Sequence, residues 1–398
     1  MNNVTMSRRG LLWSGAAITL VAAGGMIAAW RARPADPAGP AYSAWTLWND
    51  ASVRNTPLAL VAAGVLAANP HDTQPWLFHV TDNSIEIFAD TSRHLGAMDP
   101  FLRELHIGLG CAVENMALAA PANGYRVVVE PVAGALDKLA DRRGAALAAT
   151  LRLARIDRPS SPVPAYEAIP RRHTNRYPYD RAKPLPDGWR DALSGLVDHP
   201  DVRLFLFDAG ASRAAYDSAV IESTQAIIDD AAMIADSDRW IRSTPAEIEQ
   251  FRSGPTLETA GLSPMTLLLA KTLPLPDSMK HDGWFTQTRD GMLATAPLTG
   301  LIAVRDRYDR PLALAAGRVW QRLHLNGTLA GVAMQPLNQP AEVVDRDRQL
   351  GRDRGWDRRV ADLTETTDWQ PTFFFRAGIS NAVAGPSPRR ALADTLTG

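Results

Sequence analysis

Apolar and polar residues alternate in two short runs, Trp76 to Val80 and Ile85 to Ala89, which are joined by the polar residues Thr81 to Ser84. Alternation with a period of two around a short polar link predicts a β-hairpin. Other short runs are rich in β-branched or aromatic residues, which favour buried strands. These runs are Tyr125–Val129, Val202–Phe207, Leu298–Val304 and Thr372–Phe375.

Longer apolar segments lie between the predicted strands. Proline directly after a polar residue is typical of a helix start, and proline or glycine after the last apolar residue is typical of a helix end. On these signals we predict helices from Pro57 to Asn69, from Pro100 to Asn123, from Ser212 to Ala235 with Ser212 as the N-cap, and from Leu312 to Ala330. The proline-rich residues 252–288 predict an irregular insertion. This mixture of helices and strands predicts an α+β fold.

Two of the predicted helices share a pattern of glycines. The segments Gly110–Gly124 and Gly317–Gly331 have glycine at both ends, and Leu118 of the first aligns with Leu325 of the second. Each segment leads into an apolar run. Together with the repeated order of helices and strands, this similarity predicts an internal duplication in which one chain imitates a symmetric dimer.

Composition narrows the classes of function. The chain has 398 residues, of which 46% are hydrophobic, and its formal net charge is −1, so general disorder and a global nucleic-acid-binding charge are both excluded. The single cysteine, Cys111, excludes an intramolecular disulfide and a cysteine-based metal site, and we interpret it as a small core residue. The histidines do not have the spacing of a helical metal site, so we predict no metal. The charged stretch Asp345 to Arg359 is most simply a solvated helix face.

The first forty residues are predicted to lie outside the fold. Arg8 and Arg9 precede an almost uncharged run from Leu11 to Trp30, and prolines follow between Pro34 and Pro40. A paired arginine before a modestly apolar stretch is typical of a twin-arginine export signal, which we favour. The stretch is also long enough to span a bilayer, so an uncleaved membrane anchor is the competing interpretation. The protein is therefore predicted to be exported or anchored at its N-terminus.

Two polar segments suggest a ligand site. The loop from Ala68 to Trp76 contains two prolines with polar side chains between them, so it can hold donors and acceptors at fixed positions against a heteroaromatic ring. The segment Arg171 to Arg176 contains three arginines and one threonine, a composition that suits a phosphomonoester. The alternatives are a polar turn for the loop and a solvated linker for the arginine segment.

The loop Pro70 to Trp76 resembles the Asn-Thr-Gln-Pro-Trp loop of the nitroreductase superfamily, whose members bind FMN. Over residues 45–396 the chain more closely resembles the Acg-like branch, in which two nitroreductase-like halves are fused. The segments that carry this resemblance are Ala67–Phe78, Phe101–Asn115, Arg171–Arg176, Gln335–Pro340 and Pro386–Arg390. The resemblance implies a nitroreductase-like first half at residues 41–156, a connection at 157–186, and a second half at 187–398.

The resemblance also implies how FMN would be held. In homodimeric members one subunit contributes the arginine motif and the other contributes the Gln-Pro-Trp loop, so here the two halves would share one complete site in a monomeric pseudo-dimer. The implied phosphate contacts are Arg171, Arg172, Thr174 and Arg176, closed by Ser387, Arg389 and Arg390. The loop residues Pro70, His71, Thr73 and Gln74 would contact the ring or the ribityl chain, and Leu337, Asn338 and Gln339 would lie at flavin N5, where hydride is exchanged.

One residue departs from the family pattern. Asp72 stands where the family usually has asparagine, and an ionised carboxylate cannot donate a hydrogen bond to a flavin carbonyl.

The function implied by the resemblance is an FMN-dependent oxidoreductase. It would take electrons from an NAD(P)H-type donor and pass them to a nitroaromatic or quinone-like planar acceptor. The alternatives are a protein that sequesters or stores FMN without turnover, if residues 252–288 form a lid, and a scaffold without cofactor.

Overall fold

The protein is described by a computed structural model that covers residues 36, 38–138, 144–273 and 276–397. Nearly all of the predicted export signal or anchor, residues 1–40, lies outside this range. Within the described range, no helix has the length and apolar character needed to cross a membrane. The fold combines helices with two four-stranded sheets, which confirms the predicted α+β class.

Each sheet comes from one half of the chain. The strands of the first sheet are β1 (Trp76–Val80), β2 (Ser84–Asp90), β3 (Tyr125–Pro131) and β4 (Ala145–Arg155), and those of the second are β5 (Val202–Phe207), β6 (Leu298–Val304), β7 (Ala333–Pro336) and β8 (Gln370–Gly378). The first sheet has the order β1-β2-β4-β3 and the second has the order β5-β6-β8-β7, with every pair antiparallel. The two halves therefore repeat one topology.

Six of the eight strands match predicted runs, and two were not predicted. The missed strand β4 consists of Ala, Leu, Arg and one Thr, of which the first three favour helices. It forms a strand because β2 and β3 pair with its two edges, so tertiary pairing outweighs local propensity. The missed strand β7 has only four residues and ends in proline, which leaves too short a pattern to detect.

The helices run in chain order as follows. They are α1 (Ala44–Leu47), α2 (Pro57–Gly64), α3 (Arg103–Ala119), α4 (Pro164–Ala168), α5 (Trp189–Ala192), α6 (Gly210–Ile228), α7 (Ala231–Asp238), α8 (Pro245–Phe251), α9 (Pro264–Thr272), α10 (Asp277–Thr286), α11 (Arg310–Leu329), α12 (Gln339–Leu350) and α13 (Trp356–Ala361). A π-helix spans Gln287–Leu293. The 3-10 turns are Pro40–Tyr42, Pro70–Asp72, Thr91–Arg93, Gly96–Met98, Pro121–Asn123, Ile169–Arg171, Leu193–Leu196, Leu257–Thr259, Asp362–Thr364 and Leu392–Thr395.

Three sequence-based predictions about helices are corrected by the structure. The predicted helix from Ser212 to Ala235 is two helices, α6 and α7, because Asp230 adopts an extended backbone and caps α7 with its side chain. Ser212 lies inside α6, whose N-cap is Ala209. The insertion predicted to be irregular contains α9 and α10.

The stretch from Asp345 to Arg359 is not simply a solvated face. Asp345 is fully buried, and its Oδ2 accepts a hydrogen bond from Arg103 Nε at 2.7 Å. Asp347 is also buried. The first of these residues lie in α12, which packs on α6, so part of the charged run faces inward.

The two long helices α3 and α11 cross at the glycines that the sequence comparison aligned. A side chain on Gly110 would meet the carbonyl oxygen of Leu314, and one on Gly317 would meet that of Ile107. Both glycines are therefore required by the close approach of the two helices. Beside this crossing, the thiol of Cys111 is buried and lies 3.2 Å from the Gly317 carbonyl oxygen. The two halves thus share one core across α3 and α11.

Two segments cross between the halves and bring distant residues together. The connection after β4 returns along β7, where Asn175 N–H donates to the Met334 carbonyl at 3.1 Å. The C-terminal arm, residues 379–397, leaves β8 and crosses to the first half. Arg389 N–H donates to the Ala41 carbonyl at 2.7 Å, and Thr397 N–H donates to the Phe78 carbonyl at 2.8 Å.

Candidate functional site

Four separate segments of the chain meet at a small cavity of about 60 Å³. The helix-to-strand loop before β1, the connection after β4, the insertion between β5 and β6, and the C-terminal arm each contribute to its lining. The lining residues are Ala68, Asn69, Asp72, Arg172, His173, Thr174, Arg176, Pro255, Thr259, Gly385, Ser387 and Arg389. The loop and the arginine segment singled out from the sequence therefore lie at one site.

The loop before β1 has an unusual backbone. His71, Asp72 and Gln74 all have positive φ, at 44°, 48° and 51°. Residues other than glycine rarely adopt this conformation, and they persist in it only where the surroundings enforce it. Gln74 N–H donates to Asn69 Oδ1 at 2.8 Å, which holds the loop closed on itself. This strain turns Asp72 toward the cavity.

The connection after β4 supplies two arginines to the cavity. Arg172 is buried, and its Nη2 donates to the Leu66 carbonyl at 3.1 Å. Its Nη1 lies 3.3 Å from His324 Nδ1, which accepts the hydrogen bond if that ring is neutral. Arg176 Nη1 donates to the Thr259 carbonyl at 3.1 Å. Both guanidinium groups are held by neutral acceptors and not by carboxylates.

The C-terminal arm supplies the third arginine, Arg389, which is 2% exposed. Its Nη1 donates to Ser387 Oγ at 2.6 Å and forms an ion pair with the Asp72 carboxylate. Its Nη2 donates to the Ala67 carbonyl at 3.3 Å. Asp72 is the one carboxylate among the residues that line this cavity, and the three guanidinium groups of Arg172, Arg176 and Arg389, here called the arginine cradle, outnumber it.

The electrostatics reflect this imbalance. Burial, and then the charge of the neighbouring Arg389, lower the pKa of Arg172 to about 10. Burial likewise lowers the pKa of Arg176 and of Arg389, and the Asp72 carboxylate partly offsets both shifts. Burial and then the adjacent Arg172 lower the pKa of His173 to about 3, so this ring is neutral. The site therefore carries excess positive charge in a desolvated setting.

Several hydrogen-bond donors at the cavity have no partner within the part of the chain that the structure describes. Arg172 Nε and Arg389 Nε are buried and unpaired, as is Thr73 Oγ1 in the adjoining loop. Leaving a buried donor unpaired is costly, so such atoms mark places where a ligand or water completes the site. A phosphate offers several acceptor oxygens and close to two negative charges, which match the unpaired donors and the excess charge.

Not all predicted site residues line the cavity. Arg171 is exposed, and Arg390 lies behind the loop, where its guanidinium donates to the carbonyls of Gln74 and Trp76, both at 3.3 Å. Gln74 is fully buried, and its side chain donates to the Arg252 carbonyl at 2.8 Å and accepts from Arg390 N–H at 2.7 Å. Pro70 and Thr73 shape the loop from outside the lining. Gln74 and Arg390 therefore support the loop without lining the cavity, and Arg171 lies outside it.

His71 is also turned away from the cavity. Its Nε2 lies 2.9 Å from Ser237 Oγ, near the end of α7. Burial, and then the charge of Arg176, lower its pKa to about 4. The neutral ring thus connects the strained loop to the helices inserted between β5 and β6.

Leu337, Asn338 and Gln339 lie at a different buried group of charges. Leu337 is in a hydrophobic core, and Asn338 Oδ1 accepts from Phe374 N–H at 2.9 Å while its side chain is also bonded to Glu104. Gln339 is buried and its Oε1 has no partner. Around them lies the acidic cluster, which we define as Asp99, Glu104, Glu342 and Asp345 with Arg103 at its centre. None of the three residues lines the arginine-rich cavity.

The insertion covers the cavity, which sequence reasoning raised only as an open question. Pro255 and Thr259 line it, Gly254 N–H donates to the Asp72 carbonyl at 3.0 Å, and Gly261 packs against the backbone of Arg176. Sequence reasoning also missed His173 and Asn69 as lining residues, although both lie within segments that it had singled out. Pro255 and Thr259 could not be found, because nothing local links them to a site formed by tertiary contact.

A larger open cavity of about 650 Å³ lies between the β3–β4 loop and the start of α11. Its lining contains no predicted site residue. Its three cations are already engaged. Arg305 pairs with Asp368 at 3.6 Å, Lys138 donates to the Gln349 carbonyl at 2.8 Å, and Arg348 stacks over the Tyr308 ring at 4.0 Å. We therefore place the candidate site at the smaller cavity. Among the described residues, no group of three or more His, Cys, Asp or Glu side chains is arranged to hold a metal ion.

Comparison with known proteins gives weak but consistent similarity. No protein-family model matches the chain. Two relatives from Mycobacterium tuberculosis, strains CDC 1551 and H37Rv, carry the provisional name NAD(P)H nitroreductase, and each is 24% identical over 302 residues, or 74% of this chain and 78% of the relative. This similarity supports a relationship to the nitroreductase-like superfamily.

Solved structures of nitroreductases match at lower identity. The FMN-dependent nitroreductase NfnB of Mycobacterium smegmatis in complex with NADPH is 14% identical, with a TM-score of 0.38, over 58% of this chain and 96% of its own. A nitroreductase with bound FMN from Bacteroides fragilis is 13% identical, with a TM-score of 0.33, over 57% of this chain and 95% of its own. At these TM-scores no residue is transferred from one chain to the other.

Proposed function

We propose that this protein is an FMN-binding flavoprotein that acts as an FMN-dependent oxidoreductase of the nitroreductase type. The observation that carries the proposal is the arginine cradle. In it the buried Arg172 and Arg389, each with an unpaired Nε donor, and the partly buried Arg176 share a cavity with one carboxylate. A dianionic phosphomonoester at this place would balance the charge and pair the donors. The provisional name of the two relatives, NAD(P)H nitroreductase, supports the proposed reaction class.

The residues of the cavity fit the phosphate end of FMN. Arg172, Arg176 and Arg389 would supply guanidinium donors, and Thr174 and Ser387 would supply hydroxyl groups. FMN, when bound, supplies a ring that accepts and returns hydride. The present cavity of about 60 Å³ is far smaller than the roughly 300–1,000 Å³ of typical ligand pockets, so the covering residues must move to admit the ring.

We propose that the two halves share a single complete site. The loop before β1 belongs to the first half, whereas the C-terminal arm belongs to the second and reaches the loop across the domain. Only one arginine cradle is found among the described residues, so we expect one FMN per chain. Released flavin measured against protein tests this, and a clean ratio of two would show that the halves are misassigned.

The proposed electron donor is of the NAD(P)H type and the proposed acceptor is a nitroaromatic, quinone or similar planar compound. The test is stopped-flow absorbance of the FMN-loaded protein in air, mixed with NADH or NADPH. We expect the flavin band to bleach on mixing and to recover when an acceptor or oxygen is present. A band that never bleaches with either donor would contradict this assignment.

A second candidate function, storage of FMN without turnover, is favoured by one observation. The insertion covers one side of the cavity, because Pro255 and Thr259 line it and the backbones of Gly254 and Arg252 bond to the loop before β1. If this cover stays shut over bound flavin, iodide should hardly quench the flavin fluorescence, and neither nicotinamide donor should bleach the band. Strong quenching together with bleaching would favour the enzyme.

We further propose that residues 1–40 export the protein by the twin-arginine route, with a retained membrane anchor as the alternative. The support is the pair Arg8 and Arg9 before an apolar run. Replacing both arginines with lysine should leave the protein in the cytoplasm with its fold intact, as fractionation of cells would show. Continued export of the variant would contradict the proposal.

A further inference from the structure

The arginine cradle already contains an anion that belongs to the protein. The Asp72 carboxylate is buried, lines the same cavity as the three arginines, and forms an ion pair with Arg389. Its other side-chain contacts are weak, since Asn69 Nδ2 lies 3.5 Å and Gln74 Nε2 lies 3.4 Å from its oxygens. Arg389 is therefore the principal partner of this carboxylate.

The position of Asp72 is imposed by the fold. Its backbone has a φ of 48°, and its carbonyl accepts from Gly254 N–H at 3.0 Å. The adjacent residues His71 and Gln74 share the left-handed conformation. A strained backbone held from both sides keeps the carboxylate facing Arg389, so the pair is a fixed feature of the site.

Charged and titratable groups face Asp72 from every element packed around it. Most of them are arginines, which come from the C-terminal arm, the arginine segment, the turn after β2 and the link between α7 and α8, and one is a tyrosine that precedes α1. These groups are Arg389, Arg172, Arg176, Arg93, Arg242 and Tyr42. Asp72 is therefore the acid that balances this group of arginines at the cavity.

We propose that Asp72 is a resident counter-anion that competes with the flavin phosphate for Arg389, and that it thereby lowers the affinity of this protein for phosphorylated flavin. This inference rests on the proposed function. Two anions that share one guanidinium repel each other, so phosphate entry must displace the carboxylate or bind beside it at a cost. An asparagine of the same shape would leave Arg389 free for the phosphate.

The inference makes affinity depend on proton uptake. Burial raises the pKa of Asp72 to about 6, against the lowering effect of Arg389. A phosphate bound nearby would raise this pKa further, so binding would favour the protonated carboxyl. The penalty from Asp72 should therefore be largest at pH 8 and should fade as pH falls below 6.

The experiment titrates FMN and riboflavin into the full-length protein and into the Asp72→Asn and Asp72→Ala variants, with flavin fluorescence as the readout. At pH 8 we expect both variants to bind FMN roughly tenfold tighter than the native protein, which is about 1.4 kcal/mol. Riboflavin has no phosphate, so its affinity should change less than about twofold. At pH 5 the native protein and the variants should bind FMN about equally, and because each comparison uses one pH, titration of the phosphate itself cancels.

Each other outcome has a definite meaning. Unchanged FMN affinity at pH 8 would overturn the inference, and so would weaker binding, because Asp72 would then hold Arg389 in place for the ligand. An equal gain for riboflavin would also overturn it, since the gain would come from ring contacts. If no form binds FMN, the proposed function fails as well, whereas normal FMN binding by the native protein with unresponsive variants removes this inference alone.

Discussion

The protein contains two buried groups of charges with opposite balance. The arginine cradle has three arginines and one acid beside a cavity, and two of its guanidinium Nε atoms are unpaired. The acidic cluster has four buried carboxylates around Arg103, which donates to Asp345 and to the Thr372 carbonyl. In this cluster, both oxygens of Asp99 and both oxygens of Asp345 accept hydrogen bonds.

This difference separates a binding site from a structural one. The acidic cluster is held by partners within the fold: the two oxygens of Asp99 accept from the N–H groups of Glu104 and Leu105 at 3.1 and 2.9 Å at the start of α3. Excess acid there is relieved by protonation, because burial raises the pKa of Glu104 to about 8. Arginines cannot shed their charge in the same way, so the excess in the cradle is relieved by a bound anion.

The largest expected effect comes from a substitution that breaks the acidic cluster. Arg103→Met removes the central cation and leaves Asp345 and its neighbours buried without a counter-charge. Breaking a buried ion pair in this way costs about 3–5 kcal/mol. Denaturant unfolding of the two proteins at pH 7.5 measures the loss. A loss below about 1 kcal/mol, the usual limit for an exposed pair, would show that the cluster is effectively solvated.

The next effect concerns pH. In the folded state the pKa of Glu104 is raised to about 8, mainly by burial, so the folded protein retains a proton that the unfolded chain has lost. As the pH rises from 6.5 to 8, the free energy of unfolding should therefore fall, with a slope of about 1.4 kcal/mol per pH unit for one proton near pH 6.5 and about half of that near pH 8. Glu104→Gln should remove the part of this pH dependence that comes from the Glu104 proton. A native protein whose stability is flat or rises across this range would contradict the assignment.

The smallest expected effect comes from the matching substitution in the arginine cradle. Arg176→Met removes a guanidinium that donates to the neutral Thr259 carbonyl, is attracted by Asp72 and repels Arg376. Because the lost hydrogen bond is offset by relief of this repulsion and of the burial of the charge, the free energy of unfolding should change by less than about 1 kcal/mol. The same denaturant titration compares it with Arg103→Met. A loss as large as that of Arg103→Met would mean that both clusters are structural.

Some elements of the fold could be predicted from the sequence and others could not. The strands β1, β5 and β6 and the crossing glycines Gly110 and Gly317 follow from local pattern, because alternation and helix contact leave a signature in neighbouring residues. The strand β4 does not, since it is fixed by pairing on both edges.

The candidate site was predictable to a similar extent. Arg172, Arg176 and Arg389 were expected on the resemblance and do meet at one cavity, whereas Arg171 and Arg390, expected beside them, do not line it. The residues next to an arginine in the sequence do not determine which way its side chain points. The acidic cluster was not anticipated, because its members come from the start of α3 and from α12, about 240 residues apart, as the separation of Arg103 and Asp345 shows.

The most direct test of the central claim is the preference of the protein for FMN over riboflavin, measured with Arg176→Met and with Arg171→Met as the matched control. Arg176 lines the cavity and Arg171 is exposed outside it. Charge-assisted hydrogen bonds contribute on the order of 1.5–3 kcal/mol, so Arg176→Met should weaken FMN roughly tenfold to a hundredfold and leave riboflavin nearly unchanged. Arg171→Met should alter neither affinity. An unchanged preference in Arg176→Met, or an equal loss of both ligands, would contradict the claim that the arginine cradle binds the flavin phosphate.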